Sequence, residues 1–345
     1  MILGRFANLK TQDLIAPFPA KPRDSARLML LDRKTKRIKH TVFAELPKFL
    51  RSGDCLVLNR SKVEKLRFRA RKESGGLCDI LLVSPLNAER TLWKILGRKI
   101  KEGNRLTIDG GNQIVSLKKT GGSFVAEFSM PLTGKYIDAY GQMPLPNYII
   151  NARKKQIAGE STKMDESTYQ TVYAKEPGSI AAPTAGFHFT RHLINNLKAK
   201  KIEILYITLH IGWGTFKPVR TSPDKHRMLP ESFFISKETV DKINKAKREK
   251  RRIIAVGTST MRTLETCSED SGFIRAQSSE TCIFIYPPYK FKVADAFITN
   301  FHLPFSAPLY MTAAFAGEDL LYMAYKKGVN MKYRFYSYGD GMLII

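Results

Sequence analysis

Apolar residues follow two different rhythms along the chain. Between residues 61 and 150, short β-type runs such as Leu77 to Val83 and Ser123 to Phe128 are separated by glycines at 75–76, 103, 110–111 and 121–122. Short strands at this spacing predict a small all-β barrel or sandwich. From residue 155 onward, helix and buried strand alternate instead. A helical pattern over Arg191 to Lys200 precedes the apolar run Ile202 to Leu209. A second helix over Lys237 to Lys250, with Ser236 as N-cap, precedes Arg252 to Gly257. A third starts near Thr260 and is followed by the strand-like run Cys282 to Tyr286. This alternation predicts an α/β layer structure with a mainly parallel sheet. Residues 27–31 and 55–58 are strand-like as well. The arrangement expected is therefore an α/β main domain formed by both chain ends, residues 1–60 and 151–345, with the β-barrel of residues 61–150 inserted.

Composition narrows the class. No 20–50-residue period and no low-complexity stretch is present. An apolar fraction of 43% over 345 residues excludes wholesale disorder and gives ample core for two domains. The first residues lack the basic start, apolar centre and cleavage site of a secretory leader. The most apolar stretch, 296–317, is broken by Asn300, His302, Pro304 and Pro308 and is not a membrane span. Cys55, Cys78, Cys267 and Cys282 are scattered, so neither a disulfide framework nor a zinc site is expected, and a reducing cytoplasm fits.

Charge adds a partner. Lys and Arg number 57 against 31 Asp and Glu, a formal net charge of +26 that favours polyanions. The cations are clustered, with Arg60, Lys62, Lys65, Arg67, Arg69, Arg71 and Lys72 in one run and Arg153, Lys154 and Lys155 at the second domain junction. Strand alternation puts Arg67, Arg69 and Arg71 on one face, a stripe that repels itself unless an anion lies along it. These two clusters are the candidate phosphate-backbone contacts, and such contacts position a nucleic acid without specifying it. The run Lys242 to Arg252 reads instead as the solvated face of a helix.

Five segments place small residues beside His, Asn, Asp or Arg near strand ends, where open α/β sheets bind ligands. They are Ser179 to Thr190 with His188, Thr208 to Phe216 with His210, Gly257 to Glu265 with Arg262, Ile298 to Pro304 with Asn300 and His302, and Tyr333 to Asp340. The glycines at 212 and 214 could turn backbone N–H groups toward an anion, and the turn at Gly257 could do so for a carboxylate. Arg262 and Glu265 are placed to pair with each other or to face a ligand. Neither a P-loop nor a G-x-G-x-x-G fingerprint is present, and His-x-x-x-His metal spacing is absent.

As a set, the segments are specific. Tyr169 to Ala174, Gly178 to Thr190, Thr208 to Gly212, Gly214 to Phe216, Ala255 to Ser259, Arg262 to Glu265, Thr299 to Pro304, Tyr333 to Phe335 and Ser337 to Asp340 occur in order. The chain resembles the S-adenosylmethionine:tRNA ribosyltransferase-isomerase family of queuosine biosynthesis over nearly its whole length. The resemblance implies an α/β domain carrying an inserted β-barrel. It also implies transfer and isomerisation of the ribosyl unit of S-adenosylmethionine onto 7-aminomethyl-7-deazaguanine at the tRNA wobble position. Epoxyqueuosine-tRNA, adenine and methionine are the products. S-adenosylmethionine is then a consumed co-substrate, no metal or other cofactor is implied, and the expected partner is a tRNA anticodon stem-loop met by a monomer.

That chemistry needs a base for the C5′–H beside the sulfonium, an acid for adenine and a neutral attacking amine, roles suited to groups titrating near pH 7. His188, His210, His226, His302 and Asp340 are the catalytic candidates. Substrate contacts are expected from Tyr169, Gln170, Pro183, Thr184, Gly186, Gly212, Gly214, Thr215, Phe216, Glu231, Gly257, Thr258, Arg262, Asn300 and Tyr338. Glu231 could hold an ammonium or ribose hydroxyls, and Arg262 could clamp a carboxylate. The chain departs from the family pattern at Arg60 and Lys62, at Thr168, at Pro288, at Phe305 and Ala307, and at Leu229, where the pattern carries a second His. These departures leave two alternatives open: a paralogue using S-adenosylmethionine on another acceptor, and a non-catalytic RNA-binding module.

Overall fold

The strand Cys55–Asn59 shows why a two-sided sheet forms. All five residues are buried, and alternate side chains enter different cores. Cys55 and Val57 face one core, while Leu56 and Leu58 face the other. Met29 and Leu31 split from Leu28 and Leu30 in the same way, as do Ile253 and Ala255 from Ile254 and Val256. A period of two that is apolar on both faces demands cover on both faces. The helix Arg191–Ala199 covers one, and Lys237–Arg248, Thr258–Thr266, Ala307–Ala316 and Glu318–Asn330 supply side chains to the other.

This computed structural model describes residues 2–154 and 163–345. Two compact units divide the chain: Met1–Lys62 with Asn147–Glu160 and Ser167–Ile345, and Val63–Pro146 with Ser161–Glu166. The first holds a nine-stranded sheet in the order Gln277–Thr281, Glu231–Ile235, Glu203–Leu209, Cys55–Asn59, Ile253–Val256, Ala296–Asn300, Gly341–Ile344, Arg27–Leu31, Ile38–Val42. Its four central strands, from Glu203–Leu209 to Ala296–Asn300, are parallel. Outside them, Glu231–Ile235, Gly341–Ile344 and Ile38–Val42 each enter antiparallel to an inner neighbour. The sheet is thus mixed rather than mainly parallel. The second unit contains a closed six-stranded barrel in the order Ser123–Phe128, Leu92–Arg98, Leu77–Pro85, Arg67–Lys72, Leu106–Ile108, Gln113–Thr120. Phe68, Ile80, Leu82, Trp93, Ile95 and Phe128 are among its buried residues. The predicted fold class, an α/β body built from both chain ends plus a β-barrel, is the one observed.

Local signals held where they rested on backbone chemistry. The Ser236 hydroxyl caps its helix by accepting from the Thr239 N–H. Thr190 does the same for Leu193, and its own hydroxyl donates to Asp24 at 2.8 Å. Lys242 and Lys245 form i,i+4 pairs with Glu238 and Glu249, in keeping with a solvated helix face. One strand was misplaced. Cys282–Tyr286 joins no ladder, and the strand is the preceding polar segment Gln277–Thr281, paired antiparallel with Glu231–Ile235.

Candidate active site

The carboxyl ends of the four parallel strands place Asn59, Leu209, Val256 and Asn300 along one edge of the sheet. Strand order reverses here: the chain runs from Cys55–Asn59 outward to Glu203–Leu209, then returns to Ile253–Val256 on the other side. Ligands of open α/β sheets bind at such a switch point. Asn59 braces it. Its Oδ1 accepts from Ser61 N and Leu209 N, and its Nδ2 donates to Leu209 O and to Ser259 Oγ, both at 3.0 Å.

A cavity of about 110 Å³ opens at this edge. Ala182, Pro183 and Thr184 form one wall, Ile211, Thr215 and Glu231 another. Gly257, Thr258, Ser259 and Arg262 contribute the start of a helix, and Thr299, Asn300 and His302 the end of a strand. Tyr148, Tyr169, Tyr336 and Ser337 complete the polar lining, with Met228, Ile283, Phe284 and Met311 on the apolar side. Gly257 adopts φ +84°, a left-handed value that a side chain resists, and this turn starts the helix Thr258–Thr266 at the cavity.

Glu231 and Arg262 form an ion pair in this wall, both nearly fully buried. Glu231 Oε1 also accepts from Gly212 N at 2.8 Å and Thr215 Oγ1 at 3.1 Å. Arg262 donates further to Ile283 O and Thr281 O. Two expectations change. The amide of Gly212 does meet an anion, but that anion is the protein's own carboxylate. Arg262 pairs with Glu231 and not with Glu265, which accepts from Lys292 N, Val293 N and Tyr289 OH.

The candidate histidines separate. His302 lines the cavity, its Nε2 2.6 Å from Thr299 Oγ1 and its backbone N–H bonded to Tyr325 OH. Burial pushes its pKa down to about 3, so the imidazole is neutral at pH 7. His188 sits behind Asn300, with Nε2 3.4 Å from Asn300 Oδ1 and its ring stacked on Phe43. Burial lowers it to about 4 against the opposing pull of Asp340. His210 lies against Gly178, and His226 packs edge-on to Phe284. Burial lowers both, with Glu176 opposing for His210 and Lys217 reinforcing for His226. None of the four is shifted toward 7 from below, so these imidazoles are poised as neutral hydrogen-bonding groups.

Asp340 is held by salt bridges rather than presented to solvent. Buried at 1% exposure, it accepts from Arg27 N and Nε and from Arg334 N, Nε and Nη2. Gly186 is a packing glycine, since a Cβ there would lie 2.1 Å from Tyr173 OH. Gly214 packs on Leu229, the residue standing where the family pattern has a His. Gln170 accepts from Arg23 through its carbonyl, and Tyr338 stacks on Phe187. The backbone of Phe216 closes the short turn Trp213–Phe216. Tyr169 is fully buried in the cavity wall, and burial raises its phenol well above the usual range. Sequence reasoning missed Tyr148, Thr299, Ser337 and the anchoring Arg23, whose guanidinium binds the carbonyls of Ser167 and Gln170. Thr299 and Ser337 had a signal, their places in segments already singled out.

The basic candidates also divide. Arg153 is completely buried, its Nε donating to Pro17 O and its guanidinium 4.5 Å from the Phe18 ring, so it is not a surface contact. Lys154 is exposed and Lys155 lies outside the described residues. Lys62 and Arg71 are exposed, and Arg60 pairs with Glu176 at 3.4 Å. The stripe Arg67–Arg69–Arg71 does lie on one barrel face, but Asp79 on the next strand binds Arg67 at 3.1 Å. Part of the expected repulsion is therefore relieved internally. Among the described residues no His, Cys, Asp and Glu group could hold a metal, and no helix is long and apolar enough to cross a membrane.

A polar-and-apolar cavity at the switch point of an α/β sheet defines a ligand-binding protein of the open-sheet class. The comparisons say which kind. The family model described as queuosine biosynthesis protein matches residues 6–344, and the chain belongs to that family. It is 45% identical over 96% of both chains to the S-adenosylmethionine:tRNA ribosyltransferase-isomerase of Thermotoga petrophila. It is 42% identical, over 97% of both, to the one of Caldanaerobacter subterraneus. The crystal structure of S-adenosylmethionine tRNA ribosyltransferase from Thermotoga maritima aligns with a TM-score of 0.53 and 34% identity, covering 98% of each chain. The protein is accordingly an enzyme of a transferase-isomerase family.

Proposed function

We propose that the protein transfers the ribosyl unit of S-adenosylmethionine to 7-aminomethyl-7-deazaguanine at the wobble position of tRNA. The unit is rearranged to an epoxycyclopentanediol, with release of adenine and methionine. The observation that carries this reading is the cavity at the sheet switch point, in a chain that shares 45% of its residues with enzymes of that name. Its mixed lining suits a ligand with a methionyl chain bearing a sulfonium, a flat base and ribose hydroxyls. Thr258, Ser259 and the amides that start the helix Thr258–Thr266 suit a carboxylate. His302 is the imidazole at the cavity. Neutral at pH 7, it is assigned the proton removed from C5′ of the sulfonium substrate, with Thr299 orienting the ring. His188 is assigned a positioning role through Asn300. The exposed Lys62, Arg71 and Lys154, with Arg67 and Arg69, are assigned to the tRNA backbone. A tRNA partner and four free thiols suit a reducing cytoplasm.

The experiment is incubation with S-adenosylmethionine and tRNA carrying the aminomethyl-deazaguanine, followed by assay of adenine and of an epoxide-bearing nucleoside. Both products are expected. Leu229, packed on Gly214 where the family pattern has a His, favours a second reading in which the acceptor differs. Products formed only with another amine or RNA would establish that reading, and tRNA binding without turnover would leave a binding module.

A further inference from the structure

The barrel's outer wall gathers cations that the sequence keeps apart. On the strand Arg67–Lys72, Phe68 and Ala70 point inward, so Arg67, Arg69 and Arg71 point outward. On Leu92–Arg98, Trp93 and Ile95 point inward, so Lys94 and Arg98 point outward. The strand Leu77–Pro85 lies between these two, and its register aligns Arg69 with Asp79 and Asp79 with Arg98. Neighbours across a ladder share a face. One wall therefore carries Arg67, Arg69 and Arg71 on one track and Lys94 and Arg98 on a second, with Leu77, Asp79 and Leu81 between the tracks and Leu96 separating Lys94 from Arg98.

Spacing and charge indicate the partner. Successive cations on the Arg67–Arg71 track are about 6.8 Å apart, the scale on which successive phosphates follow a nucleic-acid strand, and Lys94 and Arg98, four residues apart, are spaced by about twice that. The two tracks are about 9.6 Å apart, the width of two ladder steps. Asp79, already bound to Arg67, is the carboxylate set among these five cations.

We propose that this wall is an RNA-docking surface, in which Arg98 and Lys94 join the Arg67–Arg71 track in binding backbone phosphates and Asp79 restrains the affinity by competing for Arg67. The inference rests on the tRNA reading above and adds to it a surface, two residues and an opposing charge.

The test is the affinity of the full chain for a labelled tRNA, measured across a salt series for the parent, Arg98→Glu and Asp79→Asn. Arg98→Glu is expected to weaken binding by about tenfold and to flatten the salt dependence by roughly one phosphate contact. Asp79→Asn is expected to tighten binding severalfold and steepen that dependence, whereas a merely structural carboxylate would leave affinity unchanged or lower it. Parent affinity in both variants, with unaltered melting curves, overturns the surface while leaving the tRNA reading intact. Failure of the parent to bind tRNA removes that reading and the surface together. A change in self-association with no change in tRNA affinity assigns the wall to a protein contact and overturns the proposal.

Discussion

Glu231 and Arg262 are bound to each other inside the cavity wall, 31 positions apart in sequence, and each is also bonded to backbone on a third segment. Removing one partner strands a buried charge, which typically costs about 3–5 kcal/mol. Arg262→Met and Glu231→Gln should each lower the unfolding free energy by that order, read from denaturant unfolding. The double variant should lose less than the two added together, because neither charge remains unpaired. Strictly additive losses in the double-mutant cycle would refute the pairing.

His302→Gln should retain the fold and lose turnover by about 10²–10⁴-fold, the usual worth of a positioned proton-transfer group. Thr299→Val, which removes the hydroxyl from Nε2, should lose part of this. A normal turnover number for His302→Gln would move the proton transfer elsewhere.

His188 links stability to acidity. Its folded pKa of about 4 lies below the ordinary 6.5, so the unfolded chain binds the proton more tightly. The stability this provides is complete above about pH 6.5 and is lost as pH falls toward 4. The amount is on the order of 3 kcal/mol. Urea unfolding of the parent should show stability rising with pH across this window, and His188→Gln should show a shallower rise. Parallel curves would exclude the assignment.

Arg153→Ala should reduce stability by about 2 kcal/mol through loss of the Pro17 hydrogen bond and the Phe18 ring contact. The salt dependence of tRNA binding should stay that of the parent. A flattened dependence would return Arg153 to the RNA surface.

Of the four thiols, Cys282 is exposed and Cys55, Cys78 and Cys267 are buried. Burial pushes Cys55 and Cys267 up to about 12, with Glu203 adding to the rise at Cys55. A chromogenic disulfide reagent should therefore label one thiol rapidly in the native protein and the others only on unfolding. Rapid labelling of two would contradict the packing.

The central strands were legible because apolar residues fill both faces, and only a sheet covered on both sides uses such runs. Helix starts were legible where a hydroxyl caps a backbone N–H, as at Ser236. The run Cys282–Tyr286 misled because its apolar residues, including Ile283 and Phe284, line a cavity rather than a ladder. The polar Gln277–Thr281 forms the strand instead, since a ladder is made by the backbone and an edge strand needs little apolar cover. Charge was the least legible property. Arg153 is drawn inward by a carbonyl and an aromatic ring, and the helical Arg262 is neutralised by Glu231 on a strand distant in sequence. Arg98 gains its neighbours only once the barrel closes.

The strand Gly341–Ile344 lies between Arg27–Leu31 and Ala296–Asn300, and Leu28 pairs directly with Gly341. During synthesis this inner slot stays empty until every other strand of the sheet has left the ribosome. At about 5–20 residues per second, Arg27–Leu31 waits roughly 15–60 s for its neighbour. The barrel strands, contiguous between Arg67 and Phe128, are complete well before then. The barrel strands can therefore pair while the apolar edges of Arg27–Leu31 and Ala296–Asn300 still lack the strand that lies between them.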